Sequence, residues 1–458
     1  MLGDARSMNP STSALLIDLY ELVMAQAYIQ QGMEEPAVFE FFIRKLPSHR
    51  NFLVSAGLDQ VLDMLANLRI TEEELAWLDR SGRFTPPLLR YLERLRFTGD
   101  VEAIPEGTLV FPHEPIVRVI APMPQAQLVE SRIMNLLNFQ TMVASKAARS
   151  VLAANGKPLI DFGLRRAHGA EAGLLAARAS YLSGFAGTAT VLAGPIYGIP
   201  LYGTMAHSFV QAHRDEALAF DHFAQAQPAH VVLLIDTYDT EAAARKVVSL
   251  ASQLKAKGLT IRGVRLDSGD LADHARKVRH ILNDGGLSSV EIFASGNLDE
   301  YRVKQLIDGG APIDSFAIGT AMTTSADAPS LDCAYKLQEY ADRPCRKRSE
   351  GKATWPGRKQ VYRYYTEGRF DHDVISTLDD RQDGEPLLIP VMKDGRRLSP
   401  SARLVDLRAR TAAQFAQLPD SLRELGTSPA YDVQISPALK SLALAVDHAQ
   451  SSHHMKEL

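Results

Sequence analysis

The chain has 458 residues, 50 lysines and arginines against 54 aspartates and glutamates, and a formal net charge of −4 with neutral histidines. A hydrophobic fraction of 46% with 23% charged residues supplies material for a large core and excludes disordered, collagen-like and disulfide-scaffold classes. Near-neutrality argues against a long nucleic acid as partner, the two cysteines (Cys333 and Cys345) make neither a disulfide framework nor a zinc spacing, and no stretch approaches the roughly 20 apolar residues of a membrane span.

In chain order, Met1 to Asn9 carries Asp4 and Arg6 with no apolar signal core after it, and the closing Met455–Leu458 only echoes an ER-retention tail, so a cytosolic enzyme is the expectation. Asp18 followed by Glu21, with Leu22, Ala25, Ile29 and Met33 at helical spacing, predicts a helix with a reciprocal cap. Ala37 to Arg44 reads as a strand, and Thr108 to Ile120 as a strand pair interrupted by Pro112 and Pro115. Leu58–Leu68 and Thr71–Asp79 read as helices between them. This gives an N-terminal α+β domain over residues 1–127.

A long helix is predicted from Leu128 to the Asn155-Gly156 stop. Short apolar runs follow at Pro158–Phe162, Pro200–Ala206, Val231–Ile235, Ile261–Leu266, Val290–Ala294 and Ser315–Ile318, most of them succeeded by a helical segment. Strands alternating with helices imply a mostly parallel sheet, and the runs end in polar or small clusters, as at the mouth of an α/β barrel. The predicted catalytic barrel covers residues 128–340. Beyond it, Arg343 to Lys359 reads as a basic loop, Val361–Tyr365 and Val374–Thr377 as a hairpin about Glu367-Gly368, Leu387–Met392 as a strand and Leu404–Leu418 as a helix. This tail, residues 341–458, is expected to pack back on the N-terminal domain, with Ser451 to Leu458 frayed. The fold class is therefore α/β, an irregular TIM-like barrel with a second mixed α+β domain.

The candidate chemistry lies where the runs end. No Gly-x-Gly-x-x-Gly follows a strand and no Walker sequence is present, and Asp161-Phe162-Gly163 with His213-Arg214-Asp215 occur in the reverse of their kinase order. His207 closes a strand pattern; a carboxylate on one ring nitrogen would leave the other free as a nucleophile. His213, His222 and His230 read as solvated, with no metal-ligand spacing. Asp236, Asp239, Asp267 and Asp270 form the densest acidic group; any of them could cap a helix, and several at one mouth would call for a cation such as Mg²⁺. Arg165, Arg166 and Arg265 could pair with those aspartates or clamp carboxylates and phosphates. Ser295-Gly296-Asn297 and Gly319-Thr320 have the composition of a backbone phosphate cradle, and the basic run Arg346-Lys347-Arg348 is by default a solvated loop.

These segments, in this order, resemble the nicotinate phosphoribosyltransferase family: Asp18-Leu-Tyr-Glu-Leu-Val-Met-Ala-Gln-Ala-Tyr28, Asp161-Phe-Gly-Leu-Arg-Arg-Ala-His168, Gly203-Thr-Met-Ala-His-Ser208, Asp236-Thr-Tyr-Asp239, Arg265-Leu-Asp-Ser-Gly-Asp270, Ala294-Ser-Gly-Asn297, and Ile318-Gly-Thr320 with Tyr335-Lys-Leu337. Gly357-Arg-Lys-Gln-Val-Tyr-Arg363 extends the likeness into the tail. The resemblance implies a homodimer with shared sites that joins nicotinate to 5-phosphoribosyl 1-diphosphate, giving nicotinate mononucleotide and diphosphate in NAD biosynthesis. ATP hydrolysis is coupled through a phosphohistidine, which by motif is His207. Phe162 and the partner subunit's Tyr20 would sandwich the pyridine ring, and Arg165 and Arg265 would hold carboxylate or phosphates. Asp236 and Asp267 would be catalytic and face the ribose, the diphosphate and Mg²⁺, Gly296, Asn297, Gly319 and Thr320 would hold the 5-phosphate, and Thr188 and Ser295 would bind substrate. Related nicotinamide-using enzymes place an acid in the Gly187-Thr-Ala-Thr190 segment, where this chain has Ala189, which favours nicotinate. Ile17, Val23 and His168 depart from the family pattern. The alternatives are a nicotinamide phosphoribosyltransferase, a decarboxylating quinolinate transferase and a non-catalytic phosphometabolite-binding protein.

Overall fold

The computed structural model describes residues 12–454, so the readings of Met1–Asn9 and Met455–Leu458 lie outside the described residues. The chain divides into two compact units, residues 1–142 with 330–458, and residues 143–329. Both boundaries differ from the sequence reading at 127/128 and 340/341. Helix Glu130–Ala153 runs unbroken through the first, and strand Asp332–Tyr340 pairs antiparallel with Pro36–Lys45, with Phe41 opposite Tyr335. At the second boundary, membership follows ladder partners rather than the composition change after residue 340.

The first unit is built on a seven-stranded sheet. Its strands Asp332–Tyr340, Pro36–Lys45, Pro115–Pro122, Asp100–Ala103 and Ile389–Lys393 lie side by side, all antiparallel, so that the tail and the N-terminal segment share one ladder. The hairpin Lys359–Thr366 and Arg369–Thr377 turns at Glu367 and Gly368, both at positive φ (52° and 73°), as a tight two-residue turn requires. The predicted reciprocal cap at Asp18 is absent. Asp18 occupies the N-cap position of helix Leu19–Gln30 without a side-chain cap bond; its carboxylate instead accepts from the Ser131 hydroxyl (3.1 Å), and Glu21 accepts from the Ser131 amide (2.7 Å). A true capping box sits at Thr71 and Glu74, opening helix Glu72–Arg80. Helix Pro437–His454 extends through Ser451, where fraying was expected.

The second unit is organised by six parallel strands: β1 (Leu159–Asp161), β2 (Gly187–Thr188), β3 (Val231–Leu234), β4 (Ile261–Leu266), β5 (Glu291–Ala294) and β6 (Ser315–Ile318). Their sheet order is β2-β1-β6-β5-β4-β3. The pairing of first with last strand is the cyclic order of a barrel, and the circle opens beyond β2, where Leu201 makes a single parallel bridge to Thr188. Leu233, Leu234, Val264, Leu266, Ile292, Phe316 and Ile318 are fully buried, as strands covered on both faces demand. The predicted strand Pro200–Ala206 is a correction: apart from that bridge the segment is irregular, since Pro200 lacks a ladder donor and Gly203 has no side chain to pack. His207 therefore does not end a strand. It opens the short helix His207–Gln211. Among the described residues no helix is long and apolar enough to cross a membrane.

Candidate active site

The four aspartates of the acidic group separate by their hydrogen bonds. Asp239 caps helix Thr240–Ala256 by accepting from the Ala242 amide (2.7 Å), and Asp270 caps Leu271–Asp284 by accepting from Ala272 and Asp273. Asp236 and Asp267 lie just past the ends of β3 and β4, and Asp236 reaches across to the next turn: its Oδ2 accepts from the Asp267 amide (3.0 Å) and the Ser268 hydroxyl (2.6 Å). Its other oxygen, Oδ1, is buried without a partner among the described residues.

Arg265, near the end of β4 and 8% exposed, organises the cluster. Its Nε donates to Ser295 Oγ (2.8 Å), one terminal nitrogen donates to Thr204 Oγ1 (3.1 Å) and the Met205 carbonyl (3.4 Å), and the other to Asp267 Oδ1 (2.8 Å). Ser295 also donates to Asp267 Oδ1. One N–H of the five-donor fork is left for a ligand. The guanidinium thus ties β4, β5 and the segment leading to His207 together, a stronger organising role than the ligand clamp expected from the sequence. Burial pulls the Asp267 carboxyl up, but the Ser295 hydroxyl, Arg265 and His207 hold it below the ordinary carboxylate value. His207 completes the group: its Nδ1 lies 3.1 Å from Thr237 Oγ1, and its Nε2 stands 3.7 Å from Asp267 Oδ2, with 40% of the side chain open to solvent.

A second set of bonds holds the end of β1. Asp161 is fully buried; its carboxylate accepts from the Gly163 amide (2.7 Å) and the Thr188 hydroxyl (2.7 Å), while its carbonyl accepts from the Ala189 amide (2.8 Å). Desolvation pushes its pKa up to about 6 despite those two bonds. This joins the turn carrying Phe162 to the Thr188-Ala189 segment. Thr188 is buried with its hydroxyl committed to Asp161, so it shapes the wall rather than offering a free donor. The Phe162 ring lies 5.2 Å from the Arg265 guanidinium and edge-on to Phe293 at 5.8 Å. Arg165 and Arg166, on the single turn Leu164–Arg166, are exposed and enter no ion pair among the described residues, leaving them as cations available to a ligand.

Past β5, Gly296 and Asn297 both adopt positive φ (89° and 49°), and a Cβ on Gly296 would lie 1.8 Å from the Asp267 carbonyl oxygen, so only glycine fits. Past β6, a Cβ on Gly319 would meet the Phe162 carbonyl at 2.9 Å, and Thr320 beside it is exposed. Ser295 is buried and spent on Arg265 and Asp267, which makes it a brace for this turn. Tyr20 belongs to the other compact unit, where it is 42% exposed, with its hydroxyl pushed to about 12 mainly by desolvation.

Sequence reasoning left Asp161, Thr204, Thr237 and Phe293 unassigned. Asp161 could have been found, since it is the acid of the Asp161-Phe162-Gly163 segment; the others carry no local signal. Among the described residues no group of three or more His, Cys, Asp or Glu gathers as a metal cage. The unpartnered Asp236 Oδ1 beside Asp267 nevertheless suits Mg²⁺, which takes one or two carboxylates and completes its shell with water and phosphate oxygens.

An α/β barrel whose strand ends gather an arginine, two converging carboxylates, glycine turns and an accessible histidine defines an enzyme class acting on a small anionic substrate. Three segments match, in order, the N-terminal domain of nicotinate phosphoribosyltransferase (residues 15–138), the nicotinate phosphoribosyltransferase family (158–342) and the C-terminal domain of that enzyme (380–443), and the chain belongs to this family. It is 46% identical over 441 residues to nicotinate phosphoribosyltransferase pncB2 of Mycobacterium tuberculosis, covering 96% of this chain and 95% of the relative. It is 37% identical over 378 residues to the nicotinate phosphoribosyltransferase of Bacillus subtilis, covering 80% and 77%. The crystal structure of human nicotinic acid phosphoribosyltransferase superposes with a TM-score of 0.84 at 27% identity, covering 94% of this chain and 99% of the human one.

Proposed function

We propose that this chain is a nicotinate phosphoribosyltransferase of NAD biosynthesis, transferring the 5-phosphoribosyl group of 5-phosphoribosyl 1-diphosphate to nicotinate and releasing diphosphate. The observation that carries the reading is the single bonded cluster of Arg265, Asp267, Ser295 and Asp236 at the strand ends, with His207 facing Asp267. The pyridine ring stacks on Phe162, and the partner subunit's Tyr20 covers its other face. Arg165 meets the nicotinate carboxylate, and the Gly296-Asn297 and Gly319-Thr320 turns receive the 5-phosphate. The absence of an acid at Ala189 favours a carboxylate over an amide, because an acid there would repel it.

In the transfer, the anomeric C–O bond to diphosphate breaks as the pyridine nitrogen forms the new C–N bond, and positive charge builds on the ribose. The anionic Asp236 and Asp267 stabilise that charge. Mg²⁺ held by Asp236, with Asp267 adjacent, would neutralise the leaving diphosphate. His207 serves ATP coupling: with Nδ1 held by Thr237 (3.1 Å), the tautomer protonated at Nδ1 has an Nε2 lone pair that takes the terminal phosphoryl group of ATP with departure of ADP. Hydrolysis of the phosphohistidine accompanies turnover. The enzyme works as a homodimer in the cytosol.

The test incubates purified protein with nicotinate, phosphoribosyl diphosphate and Mg²⁺, with and without ATP, and follows mononucleotide and acid-labile phosphoprotein. Mononucleotide is expected without ATP and more with it, and His207→Ala should abolish the phosphoprotein and the ATP stimulation. Ligand binding without turnover under saturating Mg-ATP would instead establish a silent binding protein, and faster turnover of nicotinamide would establish the amide-using enzyme.

A further inference from the structure

The turn that follows the His207 helix holds a pair of histidines that the reaction does not use. His213 Nδ1 lies 2.7 Å from the carbonyl oxygen of Phe209, in helix His207–Gln211, and its Nε2 lies 3.1 Å from Nδ1 of His222, in helix Glu216–Ala226. A carbonyl only accepts, so His213 Nδ1 carries the proton and its Nε2 presents a lone pair. In a tetrahedral site with metal–nitrogen bonds of about 2.0–2.1 Å, two ligand nitrogens stand about 3.3 Å apart. The pair is therefore already at chelating separation. Two further features match metal-binding histidines. The outer N–H of His213 is anchored on a backbone carbonyl, which fixes tautomer and ring plane. The ring also packs against Phe209 (4.7 Å), itself edge-on to Phe223 (6.0 Å), while His222 is exposed, so an ion has an entry path and room for water ligands.

We propose that His213 and His222 form a site for a borderline-soft divalent transition metal, with Zn²⁺ the best fit. His213 Nε2 binds directly. His222 now donates from Nδ1 to His213; on binding, its proton moves to Nε2 and Nδ1 becomes the second ligand, so no net proton is lost. Water supplies the remaining positions, because among the described residues no third His, Cys, Asp or Glu completes the group. With two protein ligands the affinity falls in the micromolar range. The bound ion would clamp residues 212–215, the turn that ends the His207 helix, to helix Glu216–Ala226. Neither ring belongs to a spacing motif, which is why both histidines read as solvated in the sequence.

The experiment is a calorimetric titration of the full-length chain with ZnCl₂, paralleled by Co²⁺ absorption for tetrahedral geometry, in the natural chain and in His213→Ala, His222→Ala and His230→Ala. One saturable micromolar site is expected, weakened at least about tenfold by either of the first two substitutions and unchanged by His230→Ala. His222 is on an exposed helix face, so its substitution leaves the fold intact. Absence of a saturable site in the natural chain, affinity that survives His222→Ala, or an equal loss in His230→Ala overturns the proposal.

Discussion

Two sealed charge clusters of the first compact unit and the strand-end cluster of the second handle charge in opposite ways. In the first pair of clusters, oppositely charged groups are closed off from solvent and bonded to each other. Arg118, Glu40 and Lys359 are all nearly inaccessible, with Arg118 Nε 3.1 Å and Lys359 Nζ 2.8 Å from Glu40. Arg363 and Asp373 are completely buried at 2.6 Å, and the Tyr431 hydroxyl donates to the same carboxylate (3.0 Å). In the second unit the strand-end charges are arranged but incomplete: among the described residues Asp236 Oδ1 has no partner and Arg165 enters no ion pair, and His207 is part-open to solvent. A buried pair whose partners satisfy each other has no valence left for a substrate and serves the fold. A part-open cluster braced from behind, by Arg265 and Asp161, keeps atoms free for chemistry. Similar residue types give a structural element in one place and a candidate site in the other, and the difference is satisfaction, not composition.

The sharpest way to break this contrast is to unpair the sealed charges. Asp373→Ala should cost about 3–5 kcal/mol in urea unfolding, because it leaves the Arg363 charge buried, while the double replacement Arg363→Met with Asp373→Leu should recover most of that loss. A single-variant loss under about 1 kcal/mol would show that the pair is solvated and the contrast wrong.

Asp161 yields the next effect, read through pH. Its folded pKa of about 6 lies above the ordinary 3.8, so between those values the folded chain holds a proton that the unfolded chain has lost. Its contribution therefore falls as pH rises through that window, by up to about 3 kcal/mol. Asp161→Asn does not titrate, so the stability difference between variant and natural chain should move in the variant's favour over the same window. Its KM for nicotinate should nonetheless rise, because Gly163 and Thr188 donate to different carboxylate oxygens and one of these becomes an NH₂ donor. A pH-independent stability difference would contradict the burial.

Arg265→Lys keeps the charge and loses the fork. It should lower kcat/KM by roughly fifty- to hundredfold, about 2–3 kcal/mol, with unfolding free energy changed far less. Equal losses in folding and catalysis would make Arg265 a residue of the sealed kind. The smallest effect separates the aspartates: Asp270→Ala should cost about 1 kcal/mol of stability through the lost cap and leave kcat/KM within about twofold. Asp236→Asn should do the reverse, and parity between them in the transferase assay would remove the distinction drawn from their hydrogen bonds.

Much of this was legible before any coordinates. The apolar runs that became β1 and β3 to β6, and the helices after most of them, follow from periodicity and punctuation acting over a few residues. The same local reading misplaced His207 on a strand, because Pro200–Ala206 has strand-like composition but lacks ladder partners, and it put a cap bond at Asp18 where Ser131, far along the chain, takes the carboxylate. It named Ser295 and Thr188 as ligand contacts, while the structure spends their hydroxyls on Asp267 and Asp161.

By itself, the amino-acid order determined the alternation of strands and helices, the glycines at the ends of β5 and β6, and the set of residues available for chemistry, because dihedral preference, side-chain period and capping act between near neighbours. Only the tertiary structure decided which aspartates cap and which converge, that Arg265 braces three segments, which strand of the tail enters the N-terminal ladder and beside which partner, and that His213 meets His222. Those outcomes depend on hydrogen bonds between groups tens to hundreds of residues apart or on how one helix meets the next, and such pairings exist only once the chain has closed on itself.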